Sequence, residues 1–404
     1  MRVLMLTHRL PYAPNRGDRL RAYHILRTLS QVAEVDLVSL VHDRDEASHA
    51  SDLRGLARRV VTLPVSRVRN LVRSVPALAT TRPLTHILLD APGAQRAIET
   101  LVGERTPDVV LAYCSGMARF AVEPPLSHLP LVIDMVDVDS EKWRHLATIS
   151  RSPLRWIYER EAVTLGRFEA RAARHAGITL VVNGRERDAL SALAPDACVR
   201  ELPNGVDVSG LRPQDPPADG ARVVFSGVMD YAPNVRGALW FARRVWPMVR
   251  QTRPDAELLL VGSNPVADIR ALSAADPSIR VTGTVADVRE FLWQASVAIA
   301  PLFTARGVQN KVLEAVAAGL PCVATQVVAA GLPREVTPAC WIADSPVAFA
   351  DAVLALLART PAERRQLAGR AAIEGLDWTL RLTQIPALLR EAIGRHDRDH
   401  RRVA

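Results

Sequence analysis

A chain of 404 residues, 49% of them apolar, is long enough for two domains with sizeable cores. It contains no run of eighteen apolar residues, which excludes a simple membrane-spanning helix. A net charge of +8 admits nucleic acid, an anionic membrane surface or a phosphorylated small molecule as partner, but aromatics at 5% are too sparse for a base-stacking nucleic-acid surface. Cys114, Cys198, Cys322 and Cys340 lie far apart and ten histidines are scattered. Neither a disulfide framework nor a metal site of familiar spacing is indicated, and no metal or cofactor is expected. Met1–His8 is too short an apolar start for a secretory signal, so a cytoplasmic location is expected.

Strand and helix signals alternate along the chain. Arg2–Leu6 and Glu34–Leu40 read as strands around a helix over Arg19–Ser30, where Leu20, Tyr23, His24, Leu26 and Leu29 recur at helical spacing. Val109–Ala112, Leu131–Asp134 and Ile178–Val182 are further strands, and Leu154–Arg174 is a long charged helix. The turn-rich segment Leu202–Asp207, followed by Arg212–Pro217, marks a domain boundary near residue 203. The alternation then restarts with Arg222–Phe225, a helix over Arg236–Arg250, Glu257–Val261, a helix over Val266–Ala274, Arg280–Thr282, a helix over Val285–Gln294, and Val297–Ala300. Residues 381–404 end in a basic segment, and His396–Arg402 reads as a frayed tail. The expected architecture is α/β: two Rossmann-like parallel-sheet domains, 1–203 and 204–380, facing a cleft, with 381–404 packing back on the first.

The densest chemical signal lies between Arg306 and Pro321. Only two of the 51 basic residues are lysines, Lys142 and Lys311. An ammonium kept at 311 in so Arg-rich a chain suits a site that needs a compact point charge, such as a phosphate site; the alternative is that two codons escaped a compositional bias. Residues 303–311 form the loop between a strand end and a helix start, where backbone N–H groups and the helix dipole favour anions. At the equivalent place in the first domain stands Gly17-Asp18-Arg19, whose glycine permits close backbone approach or simply makes a turn. Tyr113-Cys114-Ser115 and Asp134–Asp139 also follow strand ends, and Asp134 or Asp137 could orient a hydroxyl or cap the helix beginning near Ser140.

Phe225–Asn234, Leu259–Gly262, Val281–Val288, Ala300–Leu302 and Asn310–Ala315, in that order and spacing, resemble the donor half of the retaining GT-B glycosyltransferases, the group that includes glycogen-synthase-like and sucrose-synthase-like enzymes. Leu6–Pro14 with Gly17-Asp18-Arg19, and Val136–Trp143, are similar to a bacterial subgroup associated with exosortase exopolysaccharide loci. The resemblance implies transfer of a sugar from a nucleotide-diphosphate donor to a saccharide or lipid-linked acceptor, without metal. It places Glu314 on the ribose hydroxyls, Gly283 and Val285 at the nucleobase, and Gly227, Asn234 and Gly262 along the donor.

Two departures from the family pattern matter. The first Glu of its Glu-x7-Glu signature is Arg306 here, and the usual cations after Gly227 are replaced by Val228 and Pro233-Asn234. A departing diphosphate needs positive charge, so Arg306 and Lys311, with the amides of Gly307, Val308, Gln309 and Asn310, are expected to supply it. Gly17, Asp18, Arg19, Tyr113, Ser115 and Asp134 are expected on the acceptor side, with Asp137 catalytic. Two other readings share these features: a sugar-nucleotide 2-epimerase, and a non-catalytic two-lobed sugar-binding protein. Basic patches on the first domain and tail imply weak, salt-reversible attraction to an anionic membrane face, without insertion.

Overall fold

The computed structural model describes residues 1–12, 17–213, 215, 218–305 and 307–403. The chain divides into two compact units, Met1–Pro203 together with Leu382–Ala404, and Asn204–Arg381. Each is built on one parallel sheet.

In the first unit the strands are β1 (Arg2–Thr7), β2 (Glu34–Val41), β3 (Arg59–Pro64), β4 (Val109–Tyr113), β5 (Leu131–Val136), β6 (Ile178–Val181) and β7 (Val199–Glu201), in the order β3-β2-β1-β4-β5-β6-β7. All neighbours pair in parallel, with Val3 opposite Val109 and Leu6 opposite Ala112 at the centre. The central strands are buried on both faces: β4, Val-Val-Leu-Ala-Tyr, has no exposed residue, as expected of a parallel strand covered by helices above and below.

The second unit carries β8 (Arg222–Ser226), β9 (Glu257–Val261), β10 (Ile279–Val281), β11 (Val297–Ala300), β12 (Cys322–Ala324) and β13 (Cys340–Ile342), in the order β10-β9-β8-β11-β12-β13. In both sheets the chain order reverses beside the first strand. The crevice at that reversal, outside the carboxyl ends of the strands, is where doubly wound sheets bind ligands. In the first unit it lies between β1 and β4, and in the second between β8 and β11.

Five helices carry or support the groups of chemical interest: α1 (Gly17–Ser30), α2 (Arg67–Ala77), α3 (Asp139–Ile149), α4 (Leu154–His175) and α5 (Asn310–Ala317). Three expectations need correction. The helix expected over Arg236–Arg250 is an α-helix over Ala232–Trp240, a π turn over Phe241–Val245, and a second α-helix over Trp246–Thr252; Pro247 has no N–H to give the preceding turn. The helix expected over Val285–Gln294 shrinks to Arg289–Trp293, because the Asp287 carboxylate takes the Arg289 N–H at 2.9 Å and competes with helical bonding upstream. The segment expected to fray is instead part of α6 (Ile385–Val403). Ile385, Leu388, Leu389 and Ala392 bury one face of it, and Glu391 holds the two Arg200 nitrogens at 2.8 and 2.6 Å.

Candidate functional site

At the reversal point of the second sheet, Lys311 in the first turn of α5 meets the loop after β8. Its ammonium donates to Asn234 Oδ1 at 2.6 Å and sits 4.4 Å from the centre of the Phe225 ring, a cation over an aromatic face. Asn234 is buried, and its amide nitrogen donates to the Val228 carbonyl at 2.9 Å. The side chain that stands where a cation was expected therefore places the cation supplied by α5. Burial pushes the Lys311 ammonium down to about 7, with Glu314 and Cys322 pulling it back up. Glu314 lies one turn along the same helix. Burial raises its carboxyl and Lys311 lowers it, and no hydrogen bond from a described residue reaches the carboxylate. Asn310 Oδ1 is buried without a hydrogen-bond partner. The group thus has a cation with depressed affinity for its proton and two acceptors to which no described residue donates.

The backbone around it is tight. Gly227 has φ +154°, and a Cβ there would lie 2.7 Å from Asn234 Nδ2 and 2.9 Å from Lys311 Nζ. Gly262, at φ +152°, packs so closely that a Cβ would fall 1.7 Å from the Gly227 carbonyl oxygen. Backbone cannot yield as a flexible side chain can. Gly262→Ala is therefore expected to destabilise the second unit by about 3 kcal/mol or more, read from hydrogen exchange of the β9 amides; unchanged protection would show that the turn relaxes freely. Gly283 (φ +70°) opens onto free space, and Val285 turns its side chain to the core, leaving only its backbone for a ligand.

The first unit gathers a second set of groups at its own reversal point. His8, just beyond β1, stacks on Tyr113 at the end of β4, ring centres 5.8 Å apart. Ser115 Oγ donates to Asp139 Oδ2 at 3.1 Å. Asp137 keeps solvent-accessible surface beside them, yet the desolvation of its carboxyl by the surrounding protein, then Glu186 and Asp139, push it up to about 6, while Lys142 and Arg21 oppose them. Both strands end under strain: Cys114 after β4 has φ +69° and Val136 closing β5 has φ +66°. Positive φ in a β-branched residue costs on the order of 1–3 kcal/mol and collects at functional sites. Neither Asp134 nor Asp137 caps α3. The helix opens after Val138, and the buried carboxylate of Glu186 takes the Val138 N–H at 2.8 Å while Glu169 takes that of Ser140.

Residues 220–359 match the family described as Glycosyl transferases group 1, while no curated protein matches the chain. Over nearly their full lengths, solved structures share the two-sheet architecture. Sucrose-phosphate synthase from Thermosynechococcus elongatus superposes with a TM-score of 0.72 at 18% identity, covering 98% of this chain and 100% of that one. The fold is GT-B. Similar GT-B structures include Anabaena HepE in complex with UDP-glucose, with a TM-score of 0.66 at 16% identity and 96% and 99% coverage. An α,α-trehalose-phosphate synthase (UDP-forming) from Burkholderia vietnamiensis has a TM-score of 0.60 at 13% identity and 96% and 100% coverage.

Within this GT-B chain, Gly227, Asn234, Lys311 and Glu314 come together, with Asn310 on the same helix start. Gly307 (φ +62°), Val308 and Gln309 lead into that start, Gln309 being the residue at the cap. Arg306 and the side chain of Asp18 lie outside the described residues. Gly17 opens α1. Two residues expected on the acceptor side have buried, paired side chains. Arg19 is enclosed against Glu46 at 3.2 Å and Tyr12, with its guanidinium over that ring, and Asp134 is held from two sides by Arg21, at 2.7 and 3.1 Å. Both side chains are engaged inside the first unit, with Arg19 Nε left without a hydrogen-bond partner. His8 and Asp139 fall inside segments that the sequence singles out but without a role there, and Glu186, on the helix that follows β6, has no motif of its own; its bond to the Val138 N–H brings it to the end of β5.

Proposed function

We propose that the chain is a metal-independent glycosyltransferase that moves a sugar from a nucleotide-diphosphate donor to a saccharide or lipid-linked acceptor in exopolysaccharide or cell-surface glycan synthesis, with retention of configuration. The observation that supports it most is the Lys311 ammonium, held by Asn234 against the glycine turn after β8, with the Glu314 carboxylate one helical turn away. A cation packed against a glycine turn suits a diphosphate, and a carboxylate to which no described residue donates suits a ribose diol. The matched family and the UDP-glucose complex of HepE point the same way.

In this reading the bond from the anomeric carbon to the phosphate oxygen breaks with its electron pair leaving on the nucleoside diphosphate. Lys311, the amides of Gly307 to Asn310 and, from its place in the same loop, Arg306 stabilise that charge. The acceptor oxygen bonds to the anomeric carbon and its proton passes to the departing phosphate. Asp137 is assigned to orienting the acceptor hydroxyl.

The test is protection against thermal unfolding by UDP, GDP, ADP and dTDP, since a ligand that binds only the native state raises its stability by mass action. One of them should raise the midpoint, and Glu314→Ala should weaken its binding by about 1.5–3 kcal/mol, the scale of charge-assisted hydrogen bonds. If no nucleotide protects at millimolar concentration, the donor assignment is wrong; equal affinities for wild type and variant would remove Glu314 from the ribose.

A further inference from the structure

Helix α2 is built inside out. Its buried positions are Asn70 and Ala77, and Asn70 fixes the helix by donating to the Leu88 and Asp90 carbonyls at 3.0 and 2.7 Å. Its aliphatic residues face the other way: Val68, Leu71, Val72 and Val75 are 78%, 63%, 67% and 64% exposed. At 3.6 residues per turn these four cover about 100° of the helix surface, centred opposite Asn70. An amphipathic helix normally buries its apolar stripe, and four large aliphatics turned to water on one helix mark a surface with an occupant.

A second set of exposed apolar residues lies on α4. Trp156, Arg160 and Val163 share one face of that helix by their spacing. The Arg160 guanidinium reaches the Ala77, Leu78 and Arg82 carbonyls at 2.8, 2.9 and 3.0 Å, so this face of α4 meets the segment leaving α2. Trp156 is 55% exposed there, and Leu154, Val163 and Ile149 are exposed nearby in sequence. The rim is basic. Between Ser66 and Ala91, Arg67, Arg69, Arg73 and Arg82 stand against a single acid, Asp90, which pairs with Arg69 at 2.6 Å and with Arg73. Arg151 and Arg155 flank the start of α4, Arg155 pairing with Glu159 at 2.8 Å.

We propose that α2, with Trp156 of α4, is a membrane-docking surface that lays its aliphatic ridge into the headgroup region of an anionic bilayer. The charge pattern selects this occupant. Aliphatic side chains along the helix crest, arginines on its flanks and a tryptophan at the edge match the interfacial plane of a lipid leaflet, where apolar groups enter and cations remain with the headgroups. Among the described residues no helix is long and apolar enough to cross a membrane, so the association is peripheral. Unlike attraction through surface arginines alone, this docking inserts side chains and keeps part of its strength in salt. It does not depend on the donor reading, since it requires no nucleotide.

The experiment is sedimentation of the full chain with vesicles of phosphatidylcholine mixed with phosphatidylglycerol, and with phosphatidylcholine alone, at low and high salt and without nucleotide. Wild type should bind the mixed vesicles, lose part of that binding in high salt, and bind the neutral vesicles weakly. The exposed double substitution Leu71→Gln/Val72→Gln should reduce partitioning roughly tenfold or more with an unchanged melting temperature, and Trp156→Ala should reduce it by a smaller factor. Wild-type binding by the double variant, no binding by the wild type, or binding abolished by salt alone would overturn the proposal. So would a wild-type dimer in solution that the same double substitution dissolves, since a second copy would then be the occupant.

Discussion

Replacing Lys311 with methionine is expected to lower kcat for sugar transfer by about a hundredfold or more, with a smaller change in donor KM. Removing one preorganised group aimed at developing charge has that order of effect, and a group that acts mainly as the phosphate departs shows itself in kcat. Lys311→Arg should also impair turnover. The ammonium is seated between Asn234 Oδ1 and the Phe225 ring, a space that suits a point charge and not a planar fork. The same group sets a proton linkage. In the free protein burial holds the Lys311 ammonium at about 7, below its usual 10.5, so it is largely neutral at pH 8.5. A bound diphosphate favours the charged form. Binding at pH 8.5 should therefore take up a proton, and affinity should fall as pH rises above about 7, whereas at pH 6 Lys311 is already charged and contributes no uptake. Calorimetry in buffers of different ionisation enthalpy measures this uptake. Wild-type kcat in Lys311→Arg, or no Lys311-dependent proton uptake at pH 8.5, would detach Lys311 from the phosphate.

The folded-state counterpart of this linkage has the opposite sign from that of a paired lysine. A lysine whose affinity for its proton is lowered by folding makes the native state bind fewer protons than the unfolded chain between about 7 and 10.5. Lys311 therefore favours the folded form increasingly as pH rises through that window. Ligand binding reverses the bias, because the bound state again wants the proton. A site that is electrostatically uncomfortable when empty and satisfied when a diphosphate arrives is what transition-state charge stabilisation requires.

The sheets are legible in the sequence because parallel strands in the interior write themselves as short unbroken apolar runs. Leu131–Asp134 and Val297–Ala300 are readable on that ground, and the resemblance adds the order of the second unit. The three-residue strands β7 and β13 are not, since their pairing comes from the neighbours β6 and β12 rather than from their own residues. Local spacing points to Lys311 and Glu314 as a pair on one helix. What it cannot show is that Asn234, distant in the chain, accepts from that lysine, or that Cys114 and Val136 adopt left-handed backbone at adjacent strand ends. Neither residue type announces such a conformation. The exposed ridge of α2 escapes for a different reason. Its period is that of an ordinary amphipathic helix, and periodicity alone assigns an apolar stripe to the core; only the burial of Asn70 shows which way the helix is turned.

Asp134 is a strand-end carboxylate whose sequence position suggests a ligand and whose surroundings make it structural. Arg21→Met is accordingly expected to destabilise the first unit by about 3–5 kcal/mol, the usual result of leaving one partner of a buried ion pair alone. Arg21 is 1% and Asp134 0% exposed. The two meet through a bidentate contact between α1 and β5, so the loss leaves a carboxylate with neither water nor a counter-charge. The site edge would suffer too, since Asp134 directly precedes the irregularity in β5 pairing that ends at Val136 and aims Asp137. Replacing both partners with apolar residues, Arg21→Met/Asp134→Leu, should recover much of the stability, because a buried pair contributes little net energy over a well-packed apolar substitute. Activity need not return with it, as the strained turn at Val136 would have lost its anchor. Hydrogen exchange of the β5 amides separates this unit from the other, whose independent core makes a single global transition a poor measure. A loss below about 1 kcal/mol in Arg21→Met would show that the pair is solvent-relieved, and Asp134 would return to the candidates for binding an acceptor.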